Sequence, residues 1–504
     1  MMKKVFPVFC IAVLCLSSAP ADENDYLRPI GRPREARAQR RQGGEAFPPL
    51  PLPVTPLRRS EKKRPPSPSA LIGKVVWGSY LDYTGPDGMT QRLFDWNMVP
   101  ADCQQLLRRV KESMRLEYKT QTVDLASFSG DPAELPILHF SGGRTIRFTD
   151  AERIKLRKYL LDGGTIIFDS VVGSPYFYRG ALEETRRILP ESPVRKVDPD
   201  HALFRMVRKT TGEQVNGNRT ISPEFDGAYI GSRLAVILSP YGLGGGWDNI
   251  QPEQIRNSKY YTPRSAQALG VNLIAYIIGW YENGQAYAAG EAYGEGAEVR
   301  SADRIVFAQV KTDGLWNSDP GAETRFMRYL SKNLNMDAGN KPVYVDPATA
   351  VLADYPFLYL SGIGNFELSA DAMAKLRGYL NGGGFLLVNN SLGMNEFDAA
   401  AQKFASALYP GKKLEKIPEN HPIYTKGPFR FTRNGFLEAA AQKYPASSRP
   451  LLYGVRDGDR YKLIYSPVDL AGGWMSVSRP GSVGYETETA LRLGANLVTY
   501  FATH

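Results

Sequence analysis

Histidine and cysteine are scarce in this chain of 504 residues, which has four histidines and three cysteines. Two of the cysteines, Cys10 and Cys15, lie near the N-terminus, so a disulfide framework is not expected. The sequence also lacks a G-x-C-x-G or G-x-S-x-G nucleophile turn, a phosphate-binding G-x-x-x-x-G-K-[ST] loop and a dinucleotide fingerprint. No histidines stand at metal-ligand spacing. These absences argue against the motif-defined enzyme classes, and we expect neither a cofactor nor a metal.

Long apolar runs are also absent, apart from one at the N-terminus. Lys3 and Lys4 precede an apolar stretch over residues 5–16, and an A-x-A cleavage site follows at Ala19-Pro20-Ala21. The apolar stretch is shorter than the roughly 20 residues that a spanning helix needs. We therefore predict that residues 1–21 are a signal peptide and that the protein is exported, periplasmic or extracellular. An uncleaved anchor in the inner membrane is the alternative.

Residues 22–70 are rich in proline and arginine, with 11 Lys/Arg against 6 Asp/Glu. Such a composition cannot bury a core, and it predicts a disordered basic linker. One interpretation is a solvated tether. The other is attraction to an anionic membrane or cell-wall polymer. Nucleic acid is not an expected partner outside the cytoplasm.

The rest of the chain contains one domain written twice, over residues 71–284 and 300–504, with a Gly/Ala-rich linker at 285–299. A strand–helix–strand pattern over 136–169 recurs over 356–389. Several residues recur at the same offset of 220: Trp96-Asn97 with Trp316-Asn317, Ser141-Gly142 with Ser361-Gly362, and His201 with His421. Short apolar runs alternate with helical segments in each copy. This alternation predicts α/β domains with mainly parallel sheets covered on both faces.

The repeated motifs resemble a known family. P-x-L-x-x-S-G, L-R-x-Y-L-x-x-G-G and, in the first copy, D-H-A-L-F occur in the order seen in the domain of unknown function 4159. The resemblance implies two flavodoxin-like, three-layer domains, similar in fold to class I glutamine amidotransferases. The family's own activity is not established. The turn after Asp169 lacks the nucleophile elbow of the amidotransferases, which argues against glutaminase activity.

Asp169 and His201 are the candidate catalytic residues. Asp169 ends a buried strand, at the edge where open α/β sheets bind ligands, and an imidazole titrates near neutrality. Each also has a structural interpretation: Asp169 could hold backbone amides of a turn, and His201 could stabilise a helix entry. Asn389 stands at the position of Asp169 in the second copy.

Six further residues are candidates for ligand binding. Two are tryptophans after glycine-rich turns, where an indole either stacks on a sugar or an apolar partner or packs in the core. The six are His421, Asp200, Trp247, Trp474, Ser141 and Gly142. Cys103 and His139 are expected to be buried packing residues.

Two functions follow from these observations. The first is a non-catalytic protein that binds a cell-envelope ligand or a protein partner through two amidotransferase-like domains. The second is a hydrolase or other carbohydrate-active enzyme that uses Asp169 and His201. It requires both side chains to meet in one cleft at the carboxyl ends of the strands.

Overall fold

The computed structural model describes residues 22–31, 70–252, 255, 257–288, 305–339 and 342–503. These residues form two α/β domains, each with a seven-stranded, mostly parallel mixed sheet flanked by helices. The predicted signal peptide at 1–21 and most of the predicted linker at 32–69 lie outside the described residues. Of the predicted inter-domain linker, residues 285–288 are helical and the remainder lies outside the described residues.

The first domain contains the strands β1 (Ile72–Val76), β2 (Tyr80–Thr84), β3 (Thr90–Phe94), β4 (Thr120–Asp124), β5 (Ile137–Gly142), β6 (Thr165–Ser170), β7 (Arg195–Lys196), β8 (Glu213–Val215), β9 (Arg219–Ile221), β10 (Asp226–Ile230) and β11 (Arg233–Ser239). Its helices are α1 (Asp102–Met114), α2 (Asp150–Leu161), α3 (Pro175–Ile188), α4 (Gly244–Trp247), α5 (Pro263–Gly279) and α6 (Tyr281–Ala288).

The second domain contains the strands β12 (Ala308–Val310), β13 (Val343–Val345), β14 (Leu358–Gly362), β15 (Leu386–Asn390), β16 (Glu415–Lys416), β17 (Tyr453–Asp457) and β18 (Arg460–Ser466). Its helices are α7 (Ala322–Leu334), α8 (Ala370–Asn381), α9 (Asn395–Leu408), α10 (Pro422–Thr425), α11 (Glu438–Lys443), α12 (Ala471–Met475) and α13 (Thr487–Thr503).

Both sheets follow the same path. Their strand orders are β4-β1-β5-β6-β11-β10-β7 and β13-β12-β14-β15-β18-β17-β16. The first five strands in each order are parallel. The antiparallel hairpin β10–β11 or β17–β18 adds the sixth strand, and β7 or β16 pairs antiparallel with it at the edge. The duplication read from the sequence is therefore a duplication of topology as well.

Each sheet is buried on both faces because successive side chains of a strand point in opposite directions. In β6, Ile166 and Phe168 pack beneath α2 and α3, whereas Ile167 joins the core beneath α1 and α5. Full burial of such a side chain contributes about 1.5–3 kcal/mol. The two cores explain why the strands have continuous apolar runs.

The repeated L-R-x-Y-L-x-x-G-G motif ties a helix to its sheet. The Tyr159 hydroxyl of α2 donates to the carbonyl oxygen of Leu135 at 2.9 Å, and Tyr379 of α8 donates to Tyr355 at 3.1 Å. A Cβ added at Gly164 would lie 2.3 Å from the ring of Tyr159. Only glycine lets the chain pass the tyrosine ring before the next strand begins.

The N-terminal residues 22–31, at the start of the predicted linker 22–70, fold onto the first domain. Tyr26 and Ile30 are buried against Val171 and Val172 at the end of β6. The Glu23 carboxylate accepts a hydrogen bond from the Thr145 amide at 2.6 Å. Apolar side chains within residues 22–31 supply this packing.

Of the helices in the described part of the chain, none has the length and apolar character needed to cross a membrane.

Candidate functional site

Asp169 is completely buried at the carboxyl end of β6. Its carboxylate accepts hydrogen bonds from the amides of Leu243 at 2.9 Å and Gly244 at 2.7 Å, at the start of α4. Burial raises the pKa of Asp169 to about 7, while those two amide hydrogen bonds oppose the rise. The side chain thus holds the backbone of the turn that follows the neighbouring strand β11, and not of the turn directly after Asp169 that the structural interpretation named.

Four more polar residues lie beside Asp169, and all of them are buried: Lys74, Asp102, Cys103 and His139. Strand register explains the grouping, because Lys74 of β1 pairs with His139 of β5, and Ser141 pairs with Asp169. The alternation of side chains then places Lys74, His139 and Asp169 on the same face, toward α1.

Contacts join the members of this buried polar cluster. Lys74 donates to Asp102 Oδ1 at 2.9 Å, and Cys103 Sγ lies 3.3 Å from His139 Nδ1. Asp102 and Cys103 open α1. Sequence reasoning treated Cys103 and His139 separately, as buried packing residues, and their burial is confirmed. A lysine and a histidine within apolar strands were the signal that could have pointed to the cluster.

Burial controls the protonation of the cysteine and the histidine. It raises the pKa of the Cys103 thiol well above its usual value and lowers the pKa of His139 to about 4. Both groups therefore stay neutral near pH 7, as a thiol and an imidazole. A thiolate–imidazolium pair of the kind used by cysteine hydrolases is not favoured here.

The second domain has different side chains at the corresponding positions: Gln309, Ala322, Glu323, Tyr359 and Asn389. The oxygen of Asn389 accepts from the Leu470 amide at 2.8 Å, as Asp169 does from Leu243. Glu323 is buried, and burial raises its pKa to about 8. The duplicated backbone is thus retained while the charges of the first domain are lost.

His201 and His421 begin short helical turns. Nδ1 of His201 accepts from the Leu203 amide at 3.2 Å, and Nδ1 of His421 accepts from the Ile423 amide at 3.3 Å. His201 is fully buried, and burial lowers its pKa to about 3. Both histidines have the helix-entry geometry given by their structural interpretation.

Asp169 and His201 lie toward different ends of β11. The ring of His201 packs against Tyr229, which pairs with Leu234, whereas Asp169 pairs with Ser239. Five residues of strand separate those positions, about 16 Å at 3.3 Å per residue. Within the described residues no hydrogen bond or ring contact joins the two side chains. Their joint catalytic role stays a prediction.

The other predicted binding residues have mainly structural contacts. Trp247 and Trp474 are buried, at 2% and 1% exposure, as the core-packing alternative for these tryptophans expects. Ser141 donates to the carbonyl oxygen of Trp96, and Gly142 packs against the ring of Trp77.

Asp200 belongs to the boundary between the domains. Its carboxylate accepts from the amide of Asn395 at 3.0 Å and lies 4.0 Å from Lys443, both in the second domain. Burial, with Asp198 alongside, raises the pKa of Asp200 to about 6.

A buried arginine joins the two domains. Arg479 forms an ion pair with Asp469 at 2.6 Å and another with Asp319, both in the second domain. The same guanidinium donates to the hydroxyls of Ser232 and Tyr287 in the first domain. The turn between β10 and β11 is thereby fixed against the second domain.

An open cleft lies beside this junction, with a volume of about 630 Å³. Both domains line it, through Arg157, Leu161, Glu191, Ser192, Tyr229, Ile230, Gly231, Gly314, Leu315, Trp316 and Asn317. Leu315 bridges to Ile363, directly after β14, so this wall lies at the carboxyl edge of the second sheet. That edge is where open α/β sheets bind ligands. Trp316-Asn317 is the second copy of a motif that the sequence comparison found without assigning it a role.

Comparison with known proteins identifies the family but no activity. No curated protein matches the chain. The family model described as domain of unknown function (DUF4159) matches residues 83–278 and 306–502, most of the chain. Each match covers most of one α/β domain, although the first begins after β1. The chain therefore belongs to the DUF4159 family and contains two tandem copies of its domain.

Proposed function

We propose that this chain is an exported, non-catalytic binding protein of the cell envelope that holds a ligand between its two DUF4159 domains. The observation that carries the proposal is the cleft of about 630 Å³ at the carboxyl edge of the second sheet. Its volume is within the range of small-molecule sites. The N-terminal signal features support export.

The lining of the cleft favours a sugar ring over an apolar or strongly charged ligand. Trp316 and Tyr229 offer aromatic surface, and Asn317 and Ser192 offer hydrogen-bonding groups. Arg157 and Glu191 form an ion pair at 2.9 Å. Because their charges cancel, the lining of the cleft has no large net charge. Aromatic faces combined with amide and hydroxyl groups suit the alternating apolar and polar surfaces of a cell-wall glycan.

The proposal includes a flavodoxin-like, class I glutamine amidotransferase-like fold for each domain. Numbered along the chain, the parallel strands of each sheet follow the order 2-1-3-4-5. This is the flavodoxin-like order, whose ligands bind outside the carboxyl ends of the strands.

Thermal-shift measurements on residues 22–504 with soluble cell-wall glycans test the proposal. We expect the glycans to raise the unfolding temperature because they bind only the folded protein. Trp316→Ala removes the aromatic wall, and we expect it to weaken binding by about tenfold or more, as loss of a stacked aromatic often does.

Trp96→Ala is the matched control, because Trp96 is the first-domain copy of the same motif and does not line the cleft. It should leave glycan binding unchanged. Equal loss in both variants, or no binding by the parent chain, would contradict a site in this cleft.

A further inference from the structure

The buried polar cluster of the first domain has the donor set of a metal site. Asp102, Cys103 and His139 each bring one ligand atom, and the three atoms lie within 4.8 Å of one another. Carboxylate, thiolate and imidazole are the usual protein ligands of Zn²⁺. We propose that the first domain binds one transition-metal ion of the Zn²⁺ class through these three residues.

The distance between sulfur and nitrogen fits one shared ion. Zn–S bonds of about 2.3 Å and Zn–N bonds of about 2.0 Å place two tetrahedral ligands about 3.5 Å apart. Cys103 Sγ and His139 Nδ1 are already 3.3 Å apart. The Asp102 carboxylate offers the third ligand atom, within 4.8 Å of the other two.

An unpaired polar atom provides a second, independent observation. Within the described residues, Asp102 Oδ2 has no hydrogen-bond partner, although Asp102 is fully buried. Buried polar groups without a partner are rare and call for an explanation such as an ion. A Cβ added at Gly244 would lie 3.3 Å from Asp102 Oδ2 and 2.9 Å from Asp169 Oδ2, so both carboxylates face the same glycine.

The charges of the cluster also suit a divalent cation. As the metal–sulfur bond forms, the Cys103 S–H bond breaks and its proton leaves to solvent. The two positive charges of the ion then offset the thiolate and the Asp102 carboxylate. A neutral set avoids the cost of burying an uncompensated charge.

The second domain cannot form this site. Glu323 and Tyr359 stand where the first domain has Cys103 and His139. The inference therefore predicts about one ion per chain. Ligand spacing along the sequence did not reveal the site because Cys103 opens a helix and His139 lies in a strand.

Cobalt binding tests the inference directly. Residues 22–504 contain Cys103 as their only cysteine, so a thiolate-to-cobalt charge-transfer band can come from no other side chain. Because the site is buried, the chain is unfolded and then refolded with Co²⁺. We expect about one bound Co²⁺ per chain with that band, loss of the band when refolding is with Zn²⁺, and a higher unfolding temperature with either metal.

Matched variants locate the ligands. Cys103→Ser should abolish the band, and His139→Tyr, which installs the residue of the second domain, should abolish or greatly weaken metal binding. Glu323→Gln, at the position equivalent to Cys103, should bind like the parent chain. Absence of the band from the refolded parent chain overturns the inference even if a variant fails to fold, as does full binding by His139→Tyr.

Discussion

Single residues at equivalent positions show which polar groups the fold itself requires. Asp169 and Asn389 both accept a hydrogen bond from a backbone amide at the start of the short helix that follows the neighbouring strand, β11 or β18. An amide oxygen accepts this hydrogen bond in the second domain, so this one contact does not need a negative charge, although Asp169 also accepts from the Gly244 amide. Glu323 is different, because its Oε2 is buried without a hydrogen-bond partner in the described residues.

The protonation of Glu323 should make stability depend on pH. Burial raises its pKa to about 8 in the folded protein, above its usual 4.5. The folded state therefore binds the proton more tightly than the unfolded state, and this contribution to stability is lost as pH rises from about 4.5 to 8. Glu323→Gln keeps the shape and removes the titration. In urea unfolding, we expect the difference in the free energy of unfolding between the variant and the parent chain to increase in favour of the variant. The increase should be up to about 1.4 kcal/mol per pH unit across that range.

Glu183→Gln is the control, since Glu183 is exposed on α3. Its free energy of unfolding should follow the parent chain at every pH. A constant difference between Glu323→Gln and the parent from pH 5 to pH 8 would show that the carboxyl group does not titrate in this range.

At the scale of elements, the glycine-rich motif before each tryptophan is explained by packing. The indole Nε1 of Trp247 donates to the carbonyl oxygen of Ala266 at 2.9 Å, and Trp474 donates to Ala490 at 3.0 Å. α4 and α12 approach the long helices α5 and α13 closely enough that glycine is needed at the contact. The motif is therefore a helix–helix contact present in both domains.

Adding one methyl group at this contact should destabilise either domain. A Cβ at Gly246 would lie 2.4 Å from the Cβ of Ala266, and one at Gly473 would lie 2.3 Å from the Cβ of Ala490. We expect Gly246→Ala and Gly473→Ala each to lower the free energy of unfolding by about 1–3 kcal/mol, the usual cost of overpacking. Chemical denaturation followed by circular dichroism measures the change.

Gly378→Ala is the control in the same experiment, and we expect it to raise the free energy of unfolding where the other two variants lower it. Gly378 lies inside α8, and nothing approaches its Cβ position within 4 Å. Alanine there should stabilise the protein by about 0.5–1 kcal/mol through helix propensity. Destabilisation by Gly378→Ala similar to that of Gly246→Ala would contradict the packing explanation.

The elements were largely predictable from the sequence, and their long-range contacts were not. Periodicity and the duplicated motifs predicted two mainly parallel sheets, because each strand and helix is encoded locally and written twice. The pairing of Cys103 with His139 depends on how α1 packs on β5, which no local pattern specifies. The docking of Tyr26 depends on a surface formed only after folding. Local amphipathicity thus predicts the scaffold, whereas the sites arise where separate elements meet.

At the scale of the whole molecule, each sheet has a covered carboxyl edge. Residues 22–31 pack against the end of β6 in the first domain, next to Gly143. In the second domain, the first domain itself contributes one wall above that edge, including Gly231 and Tyr229. The carboxyl edge of the first sheet is therefore covered by the chain's own N-terminal residues, whereas that of the second sheet faces the cleft. Because both domains line the cleft, it is formed only when the domains are joined.

Arg479 should couple the unfolding of the two domains. Arg479→Met leaves Asp319 and Asp469 buried without their cation, and breaking such a pair costs about 3–5 kcal/mol. The variant also loses the hydrogen bonds to Ser232 and Tyr287 across the junction. We expect calorimetry to show a second-domain transition at lower temperature, separated from that of the first domain.

Two further variants separate coupling from the stability of the second domain. Ser232→Ala removes a partner of Arg479 on the first-domain side and leaves both ion pairs, so it should weaken the coupling with little effect on the second domain. Arg433→Met breaks an exposed pair with Glu486, and such surface pairs contribute about 0–1 kcal/mol. It should leave the unfolding profile close to that of the parent chain. A single transition for Arg479→Met, shifted as little as that of Arg433→Met, would contradict this prediction. It would show that the Arg479 contacts do not couple the unfolding of the two domains. Other contacts would then have to stabilise the cleft between the domains.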